Sequence, residues 1–164
     1  MSEPSDAAPT LVENPLLAAL GQAVYIWSAV EWLEGDLLAF LLGAHQGLAQ
    51  IVTKTVSGST ITDWLRTLAT IRFKTADTEQ LHALLTRIDE ARAQRNAYVH
   101  GLWAPGPVKG TALVTTIRWE RAEVMKRELV TLQDLMVFAD EARELYAELK
   151  IIGQHLGFPE AAYA

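Results

Sequence analysis

The sequence predicts an all-α fold, an up-down bundle of four to five helices with a small β-hairpin before the last helix. Half of the 164 residues are hydrophobic, which is enough to form the core of one domain of this length. Apolar residues recur at spacings of three and four in several long segments, as in helices with a buried face. Residues 102–119 break that pattern with prolines, glycines and an alternating run.

The first helix is predicted to begin at Asn14-Pro15 and to end at Gly43. Asparagine is a favoured N-cap, proline suits the first helical position and glycine commonly ends a helix. Apolar side chains cover much of the helix circumference, so we expect it at the centre of the fold or in a subunit interface. The uncharged run 14–30 approaches membrane-spanning length, but acidic residues follow it directly. We therefore expect a buried helix and no membrane contact.

The middle of the chain carries further amphipathic segments. Residues 46–56 are predicted to form a short helix. Ser59 or Thr60 is predicted to cap the next helix, because both side chains are good N-cap acceptors. Asp77 is predicted to cap the helix after that one, which ends at Gly101.

The segment after Gly101 is expected to be a hairpin. Residues 105–110 contain two prolines and two glycines and cannot be helical. Residues 111–119 alternate and are rich in β-branched side chains, so they are predicted to form a strand that pairs with Leu102 and Trp103. The last helix is predicted to begin at Thr131.

Composition limits the kinds of protein this chain can be. The absence of cysteine excludes disulfides and thiolate metal sites and is compatible with a reducing compartment. The N-terminus lacks the basic start and apolar run of a signal peptide, so we expect a cytoplasmic protein. We predict a disordered tail at 1–12, one helical domain at 13–157, a C-terminal tail at 158–164, and no metal or other cofactor.

The charges are unevenly distributed along the chain. The net charge is −6, which alone argues against a nucleic-acid ligand. Residues 85–127 nevertheless carry eight basic and four acidic side chains, whereas the chain on either side is net negative. A local concentration of positive charge matters more for an anionic ligand than the total. Helix ends and hairpins also attract arginine, and that explanation stays open.

One short element brings together three side chains that could act on the same ligand. It is Arg95-Asn96-Ala-Tyr-Val-His100, at the end of the predicted third main helix. Histidine exchanges protons near neutral pH, and arginine binds phosphate oxygens through two donors. Asn96 lies one turn before His100 and can orient the imidazole or donate to a phosphoryl oxygen. Arg95 and His100 are about 140° apart on an ideal helix, so they meet only if the arginine reaches round or the last turn unwinds.

This element resembles the R-x-x-x-x-H signature of HEPN domains, in which a polar residue follows the arginine. The pattern Trp27-x-x-x-Glu31-Trp32 in the first helix is also similar to that family. The resemblance implies a helical bundle that dimerises with two motifs facing each other, and a metal-independent endoribonuclease of the kind found in toxin and defence systems. It further implies catalytic roles for Arg95 and His100 and a supporting role for Asn96.

The resemblance also bears on partners. It implies a homodimer, RNA as substrate, and an antitoxin or regulatory protein as a possible partner. HEPN domains that pair with nucleotidyltransferases carry a tyrosine two residues after the histidine. Leu102 stands at that position here, which argues against such an antitoxin.

Further side chains are candidates for substrate binding: Glu31, Arg92, Tyr98, Trp103, Lys109 and Arg118. Each has a structural alternative. Glu31 could instead form an internal ion pair, the two aromatic side chains could pack in the core or hairpin rather than stack on bases, and the basic side chains could form a solvated face.

The sequence therefore predicts a metal-independent endoribonuclease that cleaves RNA by transesterification through the 2′-hydroxyl, at a cleft between two subunits. Two alternatives stay open. The chain could be a catalytically inactive HEPN-like module that binds RNA or protein, or a helical dimer that binds a small ligand.

Overall fold

The structure, a computed structural model, describes residues 14–44, 51, 53–120 and 122–159, with the side chains of 118–124 outside this description. Its helices and strands, in chain order, are α1 (Pro15–Leu42), α2 (Gly58–Arg72), α3 (Thr75–His100), β1 (Leu102–Pro105), β2 (Thr111–Glu120), β3 (Ala122–Thr131) and α4 (Leu132–His155).

The prediction of an all-α bundle is wrong. Four helices in the described residues are accompanied by a three-stranded antiparallel sheet in the order β1-β2-β3. The expected hairpin is present as β1 and β2, with Trp103 opposite Val114. The element that the prediction lacked is β3, which pairs with β2 from Thr111↔Thr131 to Glu120↔Ala122. The fold is therefore mostly helical, with a sheet at the end of the molecule where α3 stops and α4 starts.

Helix α1 follows its prediction closely. The Asn14 side chain accepts a hydrogen bond from the Leu16 amide at 3.1 Å, and Gly43 ends the helix at a φ of 65°. Every residue from 33 to 39 is buried, so this stretch of α1 is enclosed on all sides. Among the described residues, α1 is the one helix with the length and apolar composition to cross a membrane.

Two predicted N-caps were misplaced. Ser57, rather than Ser59 or Thr60, caps α2, and its hydroxyl accepts the Thr60 amide at 3.2 Å. Helix α3 begins at Thr75, so Asp77 lies in the first turn instead of capping it. In both cases the helix starts before the polar residue chosen from sequence. Before α2, several neighbouring residues are acceptable caps, whereas α3 starts after Lys74 without a side-chain cap, so the surrounding chain decides where it begins.

Helix α4 begins as predicted. Thr131 Oγ1 accepts the Asp134 amide at 3.2 Å, and Asp134 Oδ2 accepts the Thr131 amide at 2.8 Å, which completes a capping box. Below this start, Phe138 stacks on Trp27 of α1 with ring centroids 6.0 Å apart and meets Tyr98 of α3 edge-on at 5.6 Å. These three rings join α1, α3 and α4 in the core.

The join between α3 and the sheet depends on Gly101. A Cβ added there would lie 2.5 Å from Val114 Cγ1 and closer still to the Ala97 carbonyl oxygen. Only glycine allows β2 to approach the helix end this closely. This contact fixes the position of His100, the residue just before it.

Other predictions concern the ends of the chain and the segment after α1. The predicted tail at 1–12 and most of the predicted helix at 46–56 lie outside the described residues. Phe158, which the sequence assigned to the C-terminal tail, is buried and meets Phe40 edge-on at 5.4 Å.

Candidate functional site

His100 is the last residue of α3, and its side chain is exposed. It lines an open groove of about 1090 Å³ between the end of α3, strands β2 and β3, and the start of α4. The inner face of the sheet forms one wall, since Thr116 and Lys126 are opposite each other in register and both line the groove. We call this space the His100 groove.

Asn96 lines the same groove one helical turn before His100, whereas Arg95 does not line it. Arg95 Nη1 donates to Asn96 Oδ1 at 3.1 Å, and Arg95 Nη2 lies 3.9 Å from Glu31 Oε2 on α1. Arg95 Nε is buried and donates no hydrogen bond to the part of the chain that is described. The motif is therefore divided: two members share the groove, and the third reaches it through the Asn96 side chain.

The groove carries charges of both signs. Lys126 Nζ pairs with Glu128 Oε1 at 2.5 Å, and both side chains line the groove. Asp134 also lines it while its carboxylate caps α4. The concentration of basic residues seen in the sequence thus does not make the surface around His100 uniformly positive.

Arg92, a candidate for substrate binding, lies in the interior instead. Its Nη2 donates to both carboxylate oxygens of Glu34 at 2.8 and 2.6 Å, and its Nη1 pairs with Asp89. The guanidinium carbon lies 6.0 Å from the ring centre of Trp27, and a Cβ on Gly58 would meet Arg92 Nε at 2.5 Å. Arg92 therefore binds α3 to α1 and α2.

Glu34 is the acidic partner that sequence reasoning missed. Its side chain is 1% exposed, and burial raises its pKa to about 7 although Arg92 opposes the shift. The signal was an acidic residue within a largely apolar helix, where a buried charge needs a partner. Asp89 extends the network, since it also accepts hydrogen bonds from Thr62 at 2.9 Å and Arg66 at 2.6 Å.

Of the two aromatic candidates for substrate binding, Tyr98 is buried in the core and Trp103 is half-buried. Tyr98 is 5% exposed, its hydroxyl accepts from Gln94 at 2.8 Å, and burial raises its pKa. Trp103 is half-buried and its indole N–H donates to the Tyr98 carbonyl oxygen at 2.7 Å. Their contact ties the first strand to the end of α3, and Tyr98 also lines the His100 groove.

The remaining candidates for substrate binding, Glu31, Lys109 and Arg118, lie in different parts of the fold. Glu31 lies beside Arg95, with 3.9 Å between Oε2 and Nη2. Lys109 is exposed in the turn between β1 and β2, and the four residues of β1 separate it from His100 by on the order of 13 Å. The Arg118 backbone pairs with Val124, and its side chain lies outside the described residues.

Two findings complete the description of the site. Within the described residues, no group of three or more histidine or acidic side chains is arranged to hold a metal ion. Comparison of the chain with protein-family models, curated proteins and solved structures finds no match.

Proposed function

We propose that the chain is a metal-independent endoribonuclease of the HEPN type and that His100 is its proton-transfer residue. The observation that carries the proposal is the exposed His100 imidazole, held at a helix end in a groove shared with Asn96. The groove, at about 1090 Å³, has room for more than one nucleotide. Histidine is the side chain best suited to giving and taking protons near neutral pH.

The reaction places specific demands on these residues. A base removes the proton of the 2′-hydroxyl, the 2′-oxygen forms a bond to phosphorus, and the bond from phosphorus to the 5′-oxygen breaks as an acid protonates that oxygen. The products are a 2′,3′-cyclic phosphate and a 5′-hydroxyl. One histidine supplies either the base or the acid, so a second His100 from another copy of the chain would supply the other.

Arg95 is the cation of the motif that would stabilise the charge on phosphorus. Its distance of 3.9 Å from Glu31, with both side chains partly exposed, makes that pair weak, about 1 kcal/mol or less. A phosphate that accepts two hydrogen bonds from the guanidinium would outcompete it. Asn96, already bonded to Arg95, would hold the guanidinium at the groove edge.

Exposed apolar side chains around the groove support a homodimer at this face. Ile117, Leu129 and Val137 line the groove and are 38%, 48% and 55% exposed. Covering them with a second copy would remove apolar surface from water and bring two motifs together. A dimer at this face would also explain why the catalytic groups are incomplete in one subunit.

The proposal is tested by RNA cleavage in the presence of a chelator. We expect His100→Ala to reduce cleavage by at least about 100-fold. The matched control is His155→Ala, which removes an exposed histidine paired with Asp77 at 3.1 Å, far along the chain from the motif. Equal cleavage by both variants, or a requirement for added metal, would contradict the proposal.

A second candidate function has one observation in its favour. Arg95 turns towards Glu31 and does not line the groove, which suits a HEPN-like module that binds RNA without cleaving it. Gel-shift measurements with the same RNA separate the two functions. Retained binding without cleavage in the unmodified chain would favour the binding module.

A further inference from the structure

A second cavity, of about 440 Å³, lies on one face of α1 and shares no lining residue with the His100 groove. Residues at helical spacing on α1 form one wall: Ser28, Glu31, Trp32, Gly35 and Asp36. Residues before and within α2 form the other, among them Lys54 and Ile61. We call it the Asp36 cavity.

Asp36 is the unusual member of this set. It is 3% exposed, and its Oδ2 is buried and accepts no hydrogen bond from any described residue. A buried carboxylate without a donor costs several kcal/mol, so native proteins almost always give it a partner. Burial also raises the pKa of Asp36. The carboxyl therefore faces the cavity with an unmet need for a donor or a cation.

The surroundings of Asp36 indicate which cation fits. Glu31 provides a second carboxylate at the opposite edge of the same cavity wall, five residues before Asp36 and about 140° from it around an ideal helix. Between them lies Trp32, 51% exposed, whose indole ring offers a surface for cation–π contact and for methylene groups. A small hard metal ion requires six or more closely placed oxygens, whereas this cavity is wide and has an aromatic wall.

We propose that the Asp36 cavity binds a small alkyl diamine. One ammonium group pairs with Asp36 at the buried end, the other pairs with Glu31 near the opening, and the methylene chain lies along Trp32. This binding is independent of the ribonuclease proposal, because it requires neither His100 nor the groove.

The position of Glu31 adds a consequence. Its carboxylate lies between the cavity and Arg95, at 3.9 Å from the guanidinium, so the diamine and Arg95 compete for it. Arg95→Gln should then tighten diamine binding several-fold by releasing Glu31. Binding and release of the diamine would in turn change how freely Arg95 moves.

The test is isothermal titration of the full chain at low ionic strength with 1,4-diaminobutane, with 1,4-butanediol as the uncharged analogue. We expect millimolar binding of the diamine, no heat from the diol, and affinity weakened at least about tenfold in Asp36→Asn. Asp63→Asn, which alters an exposed carboxylate paired with Arg66, is the matched control and should bind like the unmodified chain. A thermal melt verifies that each variant is folded.

Two results would overturn the proposal. One is the absence of diamine binding, or equal binding in Asp36→Asn. The other concerns Lys54, whose own ammonium group is the internal competitor, since the residue lines the same cavity. Diamine binding that is seen only in Lys54→Ala would mean that the Lys54 ammonium group occupies the cavity in the unmodified chain.

Discussion

Replacing Arg92 by methionine tests whether this residue supports the fold rather than binding substrate. The Arg92 side chain is 8% exposed and makes two hydrogen bonds to Glu34, which is 1% exposed. Methionine keeps much of the volume against Trp27 but removes every donor. Glu34 is then left in the interior without its cation, while Asp89 keeps Arg66 and Thr62.

The size of the effect follows from this environment. Removing one partner of a buried ion pair costs about 3–5 kcal/mol. Because burial already raises the pKa of Glu34 to about 7, the orphaned carboxyl can take up a proton near neutral pH, which places the cost near the lower limit. A loss of about 3 kcal/mol in a chain of this length lowers Tm by roughly 6–12 °C.

Urea and thermal unfolding followed by circular dichroism measure this loss. Arg143→Met is the matched control, because Arg143 pairs with Asp140 at the surface with side chains 48% and 67% exposed, and we expect a change below about 1 kcal/mol. Adding Glu34→Gln to Arg92→Met should restore part of the loss, since the amide carries no charge. An Arg92→Met variant as stable as the control would refute the reasoning and reopen a role for Arg92 in binding.

Two further predictions concern Gly101 and Asp36. Gly101→Ala should lower the free energy of unfolding by about 1–3 kcal/mol, because the added Cβ meets Val114 and the Ala97 carbonyl. Gly21 in α1 has open space around it, so the control Gly21→Ala should raise the free energy of unfolding by about 0.5–1 kcal/mol. Equal effects of the two variants in thermal melts would argue against the close approach of β2 to Gly101. Burial raises the pKa of Asp36 in the folded chain above its ordinary value of 3.8. The protonated carboxyl therefore stabilises the fold below pH 3.8, and this contribution is lost as the pH rises through the pKa of the folded chain. In diamine-free buffer, Asp36→Asn should therefore gain stability over the unmodified chain as the pH rises above 3.8, and a constant difference in urea titrations would contradict this.

The helices were predictable because local signals agree with the fold. The cap at Asn14, the stop at Gly43 and the start of the last helix at Thr131 were each identified from sequence, and the structure has all three. Strand β3 was missed because its sequence, AEVMKRELVT, is rich in methionine, lysine, arginine, glutamate and leucine, which favour helices. Its strand conformation depends on pairing with β2, a tertiary contact that overrides local propensity.

The candidate site was predictable only in part, for a similar reason. The spacing of Asn96 and His100 placed both on one helix face, and the structure brings both to one groove. The spacing of Arg95 and His100 implied a wide angle, and Arg95 indeed contacts α1. The interior position of Arg92 was not predictable from its own helix, because its partner Glu34 lies 58 residues earlier in the chain.

The most direct measurement of the central claim is the chemistry of the RNA ends left by the protein in excess chelator. Mass spectrometry of the products should find 2′,3′-cyclic phosphates and 5′-hydroxyls with the unmodified chain, and intact RNA with His100→Ala. Intact RNA with the unmodified chain, or products that end in 3′-hydroxyls and 5′-phosphates, would contradict a transesterification that depends on His100.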